Sequence, residues 1–283
     1  MPSLLAVLAS AIWGSSDFVG ATLSKRRPST AVVFLGVVLA TTVLLLGIPL
    51  VHPPFGAYQW YGVAAGTGGA IALACFYKAM AAGPMSLVAP LSATSAAIPV
   101  LWSIARGGTV DLLQGFGIMV AFIGVVLASG PELREGSLVS RSTLLYTLAS
   151  AIGFGLYYIF FALGSATSVY GTLLSQRIAG ALILAPVALR GLNRGKSLVN
   201  GLQWSPKIAT LFVFNSLGDV AANGIYGIAT RHAGHNLPVV MALSGLYPVV
   251  STVLAWALLK ERLRAVQNVG IFAALVGVLL LNA

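Results

Sequence analysis

The stretch Leu8-Ala9-Ser10-Ala11-Ile12 returns later in the chain as Leu148-Ala149-Ser150-Ala151-Ile152. Further along, Tyr77, Ser95 and Pro99 match Tyr226, Ser244 and Pro248 at one constant offset. Gln114, Gly117, Ala121, Gly124 and Leu127 then match Gln267, Gly270, Ala274, Gly277 and Leu280 at an offset about one helical turn longer. One such match is ordinary coincidence in an apolar chain; the same order kept across three helices marks a duplication. The halves divide as residues 1–135 and 136–283.

Working outward from the repeat, the 283 residues are 58% hydrophobic and only 8% charged, more apolar surface than a water-soluble domain can hide. A spanning helix needs roughly 20 mostly apolar residues, so ten spans use about 200 residues and leave only short connections. Ten apolar runs of that length lie near 3–23, 29–51, 58–81, 84–106, 112–130, 142–163, 168–190, 206–229, 237–259 and 264–282. Lys25-Arg26-Arg27-Pro28, His52-Pro53-Pro54, Gly83-Pro84, Pro131-Glu132, Arg190 to Lys196, Arg231-His232 and Lys260-Glu261-Arg262 interrupt them. No basic segment precedes the first run, so it reads as helix one and not as a secretory leader. The expected fold is an all-α polytopic membrane protein of ten transmembrane helices. Five spans per half is an odd number, so the second repeat enters the membrane from the opposite side. Inverted repeats commonly hold a substrate site at the membrane midplane and rock about it, which points to transport by alternating access.

Loop charge predicts the orientation. On one side lie Lys25, Arg26, Arg27, Arg134, Arg141, Arg190, Arg194, Lys196, Lys207, Lys260, Arg262 and Arg264; the other carries Arg106 and Arg231. The positive-inside rule then places the basic loops in the cytoplasm and both termini outside, in a cell (plasma or inner) membrane. The net charge of +10 is therefore a topogenic signal, and nucleic acid is not an expected partner. The single cysteine, Cys75, rules out an internal disulfide framework and a multi-cysteine metal site.

Of six acidic residues, Asp111, Glu132, Glu135 and Glu261 lie in or beside loops, leaving Asp17 and Asp219 within spans. Carboxylates at that depth face a cavity, pair with a base or bind a proton. Asn215, Asp219, Asn223 and Tyr226 follow helical spacing and share a face of helix eight, as do Ser10, Trp13 and Asp17 on helix one. These faces can coordinate a substrate and exchange a proton, or hold the bundle together by hydrogen bonds between helices. Arg177, inside helix seven, needs a counter-ion, and Asp17 and Asp219 are its candidates. The acid that pairs with it stays charged and leaves the other free to take up a proton; Asp219 is the first choice of proton carrier and Asp17 the second. Tyr77, Tyr157, Tyr158, Ser95, Ser244 and Tyr247 complete the candidate cavity lining, with packing as the alternative role. Pro90, Pro99 and Pro248 can kink helices four and nine. Gly62 with Gly66, Gly117 with Gly124, and Gly270 with Gly277 suit close helix contact, and helices five and ten can equally meet a second copy of the chain in a homodimer. His232 and His235 make a poor metal pair, with no acid nearby, and no metal or bound cofactor is expected; a proton gradient is the expected energy source.

The segments Ala11-Ile12-Trp13-Gly14-Ser15-Ser16-Asp17-Phe18, Gly83-Pro84-Met85-Ser86-Leu87-Val88-Ala89-Pro90, Tyr247-Pro248-Val249-Val250, Leu259-Lys260-Glu261-Arg262-Leu263 and Gly270 to Leu281 resemble the drug/metabolite transporter superfamily, and within it the EamA family of ten-helix carriers. The resemblance covers nearly the whole chain. It implies a central cavity lined by helices one, three, four, six, eight and nine, and efflux of amino acids or amphipathic, drug-like compounds. Two features depart from the family pattern: the acid after helix four falls at Gly108, and the loop charge opposes cytoplasmic termini. A lipid or lipid-linked flippase and a small-nutrient uptake carrier are the competing readings. An enzyme is not expected: no clustered carboxylates await magnesium, and Leu243-Ser244-Gly245 has no histidine partner in a span.

Overall fold

The computed structural model describes residues 1–24, 29–82, 88, 91–129, 140–192, 204–260 and 263–281; the side chain of Tyr77 lies outside that description. Lys25 to Pro28, Glu132, Arg134, Glu135, Arg194, Lys196, Glu261 and Arg262, most of the Gly83 to Pro90 segment and the boundary between the halves also lie outside the described residues. Among the described residues there are ten helical segments: α1 (Pro2–Ser24), α2 (Ser29–Val51), α3 (Gln59–Ala82), α4 (Leu91–Ala105), α5 (Leu112–Ala128), α6 (Arg141–Ser165), α7 (Val169–Leu192), α8 (Pro206–Arg231), α9 (Gly234–Leu259) and α10 (Ala265–Leu281). Each falls on one of the ten apolar runs.

Five of them, α1, α2, α6, α8 and α9, are long and apolar enough to cross a membrane. Helices α3 and α7 have the length, at 24 residues each, with hydropathy diluted by Gly, Thr, Gln and Arg side chains. Leu46, Leu50, Leu101, Phe272 and Leu279 point outward and are more than 60% exposed, an apolar exterior that a bilayer covers.

Helix ends follow local chemistry. The Asp111 carboxylate caps α5 by accepting the Gln114 backbone N–H at 2.7 Å, while the Gln114 side chain accepts the Asp111 backbone N–H at 3.3 Å. In the second repeat the matching Gln267 accepts the Arg264 backbone N–H at 3.1 Å. The repeated glutamines are thus helix starts. Ser140 and Ser205 cap α6 and α8 in the same way.

The packing is reciprocal between the repeats. A Cβ on Gly117 would meet Leu280, and one on Gly270 would meet Leu127; a Cβ on Gly124 would lie 2.7 Å from the Ala274 Cα, and one on Gly277 the same 2.7 Å from the Ala121 Cα. Each contact is thus repeated with the repeat-equivalent residues exchanged, the signature of a two-fold relation. Helix α1 packs on α8 as α3 packs on α6, and α3 on α7 as α8 on α2. These glycine faces are filled within the chain, so the faces of α5 and α10 offered by the sequence for a second copy are occupied by each other. Lipid tails are as apolar as the side chains they would replace, so close packing of small residues, and not burial from water, holds such contacts.

Helices α4 and α9, each one continuous run in the sequence pattern with prolines able to kink it, are interrupted in the structure. A 3₁₀ turn at Thr94–Ala96 precedes Ala97–Ala105, and α9 breaks at Gly245 and Leu246 between Leu237–Ser244 and Tyr247–Leu259. Pro99 and Pro248, which lack a backbone N–H, follow the two breaks at equivalent positions. The breaks meet: a Cβ added to Gly245 would lie 2.8 Å from that of Ala96.

Candidate functional site

Helix α1 is drawn close to two neighbours by small residues. At Gly14 a side chain would lie 2.5 Å from the Tyr247 carbonyl oxygen, and the Ser251 hydroxyl donates to the Gly14 carbonyl at 2.9 Å. At Gly218 a side chain would run into the Ser16 hydroxyl. These two contacts set the Trp13-to-Asp17 face of α1 against α9 and α8.

Asp219 lies at the centre of the resulting cluster. It forms an ion pair with Arg177 of α7, whose guanidinium donates to Oδ2. Its Oδ1 accepts the Trp13 indole N–H at 3.1 Å and the Asn223 amide N–H at 3.1 Å. The Asn223 amide also donates to the Asp219 backbone carbonyl at 2.7 Å, and Asn223 Oδ1 accepts the Tyr157 hydroxyl. Three helices therefore meet at one carboxylate, a fourth, α6, joins through Asn223, and the donors fix the carboxylate's orientation. Arg177 is buried and its Nε–H has no hydrogen-bond partner among the described residues; the neighbouring Gln176 Oε1 is likewise buried and without a described partner.

An aromatic wall stands beside this cluster. Trp13 packs against Tyr158, Tyr226 and Tyr247 with ring centroids 5.7, 5.5 and 6.4 Å apart. Tyr226 is fully buried and donates to the Tyr158 backbone carbonyl at 3.3 Å. Trp13 is buried too, while Tyr158 and Tyr247 are half-buried.

Asp17 differs from Asp219. Among the described residues it makes no hydrogen bond or ion pair, and its side chain is exposed. Its electrostatic neighbours nevertheless come from three other helices: Asp219 of α8, Tyr158 of α6 and Tyr247 of α9. An exposed side chain with such neighbours borders space between helices.

The remaining predicted residues scatter. Asn215 lies on the Asp219 face of α8, but its side chain abuts Gly20 of α1, outside the cluster. Ser95 and Ser244 are buried at the crossing of α4 and α9, where the Ser244 hydroxyl donates to the carbonyl of Val240 in its own helix. Gly62 and Gly66 pack against Thr172 and Gln176 of α7. Asp111 serves as a helix cap. Gln176 and Ser251 are members that sequence reading passed over; a buried Gln beside an Arg, or a Ser one turn into a helix, carries no local signal of its partner. Among the described residues no group of three or more His, Cys, Asp or Glu is placed to hold a metal ion. An apolar cavity of about 190 Å³ lies between α4, α5 and α9, bordered by Ala96, Val100, Phe122 and Gly245; it contains none of these polar groups and opens beside the outward-facing Leu101 and Met119.

Comparison with known proteins places this arrangement. No curated protein matches the sequence significantly. A solved crystal structure superposes with a TM-score of 0.72 at 15% identity, covering 98% of this chain and 95% of its own, which shows a shared fold. The profile of the EamA-like transporter family matches residues 1–130 and again 141–283, one match for each repeat. A doubled match spanning almost the whole of a ten-helix membrane protein built from two inverted five-helix repeats means that the chain belongs to the EamA-like transporter family.

Proposed function

We propose that the protein is a proton-linked secondary carrier that exports small metabolites, amino acids or amphipathic and drug-like compounds among them, across the plasma membrane by alternating access. The observation that carries this reading is the unequal treatment of the two intramembrane acids. Asp219 has a guanidinium, an indole and an amide as donors, so its oxygens are engaged and it serves as the fixed partner of Arg177. Asp17 has no such partner and faces open space, so it is the group able to exchange a proton with water. The order of preference drawn from the sequence is thereby reversed: Asp17 carries the proton, and Asp219 with Arg177 forms the charge pair beside it.

The mechanism follows from charge. With Asp17 ionised the site holds one uncompensated negative charge; with Asp17 protonated it is neutral. A charged site and a neutral site differ in their stability when closed off from water, so protonation biases which face opens. The breaks at Thr94–Ala96 and Gly245 supply the positions at which α4 and α9 can swing. Loop charge supports cytoplasmic basic loops and external termini.

Proteoliposomes carrying an imposed pH gradient test the reading. Amino acids, sugars, nucleotides, organic cations and lipophilic drugs are presented in turn, and electrical or radiotracer signals are recorded for the wild type and Asp17→Asn. The expected result is a substrate-specific flux that responds to the pH gradient and is lost in Asp17→Asn. Flux independent of pH and of Asp17, or movement of labelled phospholipid in place of solutes, overturns it.

A further inference from the structure

We infer that the ligand accepted beside Asp17 is a small organic monocation, a primary or quaternary ammonium compound, in preference to a zwitterion or an anion. This rests on the carrier reading above and narrows its substrate class.

The first argument is charge. Asp17, Asp219 and Arg177 sum to one negative charge, and Asp17 is the carboxylate whose lone pairs remain open. A ligand carboxylate would need a cation of its own. Arg177 already donates to Asp219 and is 6% exposed, and no Lys or Arg forms an ion pair with Asp17 among the described residues. A zwitterion or an anion would therefore bring a carboxylate into a negative site without a partner, at full desolvation cost.

The second argument is the wall. Trp13 and Tyr226 are buried and act as backing, whereas Tyr158 and Tyr247 are half-buried and pack on Trp13, which lies one helical turn from Asp17 on the same face of α1. The faces of aromatic rings carry negative potential, which attracts an ammonium group and disfavours a carboxylate. The close approach at Gly14 and the Ser251 hydrogen bond fix Tyr247 against α1 one turn from Asp17, so carboxylate and rings are presented together. An open carboxylate beside two accessible rings is the recognition chemistry of an alkylammonium ion. A neutral molecule of the same shape gains only the apolar contact.

The test holds shape constant and varies charge. Choline, glycine betaine and 3,3-dimethylbutan-1-ol share a bulky head and differ as cation, zwitterion and neutral compound; phenethylammonium and phenylalanine form a second pair. Each is titrated calorimetrically into the purified full-length protein, with folding checked by thermal melting. At least one of the two cations is expected to bind at least about tenfold more tightly than its uncharged or zwitterionic counterpart, with a loss of about tenfold or more in Asp17→Asn. Tyr158→Phe, which keeps the ring, is expected to retain that binding, and Tyr158→Leu to weaken it. Equal binding of a counterpart, cation binding indifferent to Asp17→Asn, or no cation binding to folded protein overturns the inference. Counterflow in the same preparations separates the two claims. Asp17-dependent, proton-linked movement of phenylalanine keeps the carrier and removes the cation preference; choline binding with no solute flux does the reverse.

Discussion

Arg177 of α7 donates to the carboxylate of Asp219 on α8, with the arginine side chain 7% exposed and the aspartate 36% exposed. One end of this ion pair is sealed among helices and the other reaches open space. The pair thus anchors a charge at the edge of the site.

Removing one partner should cost more than removing both. Breaking a fully buried pair costs about 3–5 kcal/mol; Asp219 is a third open to solvent, so Arg177→Met is expected to cost less, about 1–3 kcal/mol. Asp219→Asn alone leaves Arg177 buried and uncompensated. The double variant Arg177→Met with Asp219→Asn should recover part of the loss. Thermal or denaturant unfolding in detergent, read as a double-mutant cycle, checks this; strictly additive losses would contradict the pairing.

Asp17→Asn should be nearly silent in the same unfolding assay, within about 0.5 kcal/mol of wild type, because no hydrogen bond or ion pair among the described residues depends on Asp17. Transport should show the opposite pattern. Export driven by an inward proton gradient should vanish in Asp17→Asn and with it the dependence of flux on pH. An Asp17→Asn protein that melts several degrees lower would assign Asp17 to the scaffold instead.

Across the two-fold, Gly245→Ala places a methyl group 2.8 Å from that of Ala96, which forces the two helix breaks apart. A destabilisation of about 1–3 kcal/mol is expected from such overpacking. Adding Ala96→Gly exchanges the two residues between repeats and should restore most of the stability. Failure of the swap to rescue would argue against direct contact of these equivalent positions.

The glycines of α5 sort by what faces them. At Gly124 a side chain would meet the Ala274 and Gly270 backbones, so Gly124→Leu should prevent close packing of α5 on α10 and abolish folded protein in size-exclusion chromatography. At Gly115 an added Cβ would have no described atom within 4 Å. Gly115→Ala should therefore be neutral or raise stability by up to about 1 kcal/mol through helix propensity.

Much of the architecture was legible because membrane spans are written in composition. Ten apolar runs gave ten helices, with ends displaced by a few residues at most wherever both ends are described, and the Gln114 and Gln267 match turned out to mark two equivalent helix starts. The breaks in α4 and α9 were not legible, since Thr94-Ser95-Ala96 and Ser244-Gly245-Leu246 are compatible with continuous helix and the prolines that follow only permit a break. In the site, helical spacing gathered Asp219 with Asn223, which a hydrogen bond joins, and put Trp13 and Asp17 on one face of α1, where Trp13 bonds Asp219 instead. It also gathered Asn215, which the approach of Gly20 diverts, and Ser95 and Ser244, whose burial at a helix crossing removes them from the open space.

What the sequence determined by itself was the solvent, the number of spans and the duplication, because the cost of an unsatisfied backbone in lipid leaves an apolar chain of this length little choice but helices. What only the tertiary structure decided was which acid Arg177 holds. Asp17 and Asp219 are equally buried in apolar sequence and equally plausible partners along the chain. The choice depends on how α8 lies against α1 and α7, and the contact of Gly218 with Ser16 that seats α8 on α1 has its two partners remote in sequence. An ion pair forms within a few ångströms or not at all, so the packing of small residues assigned the charges their roles.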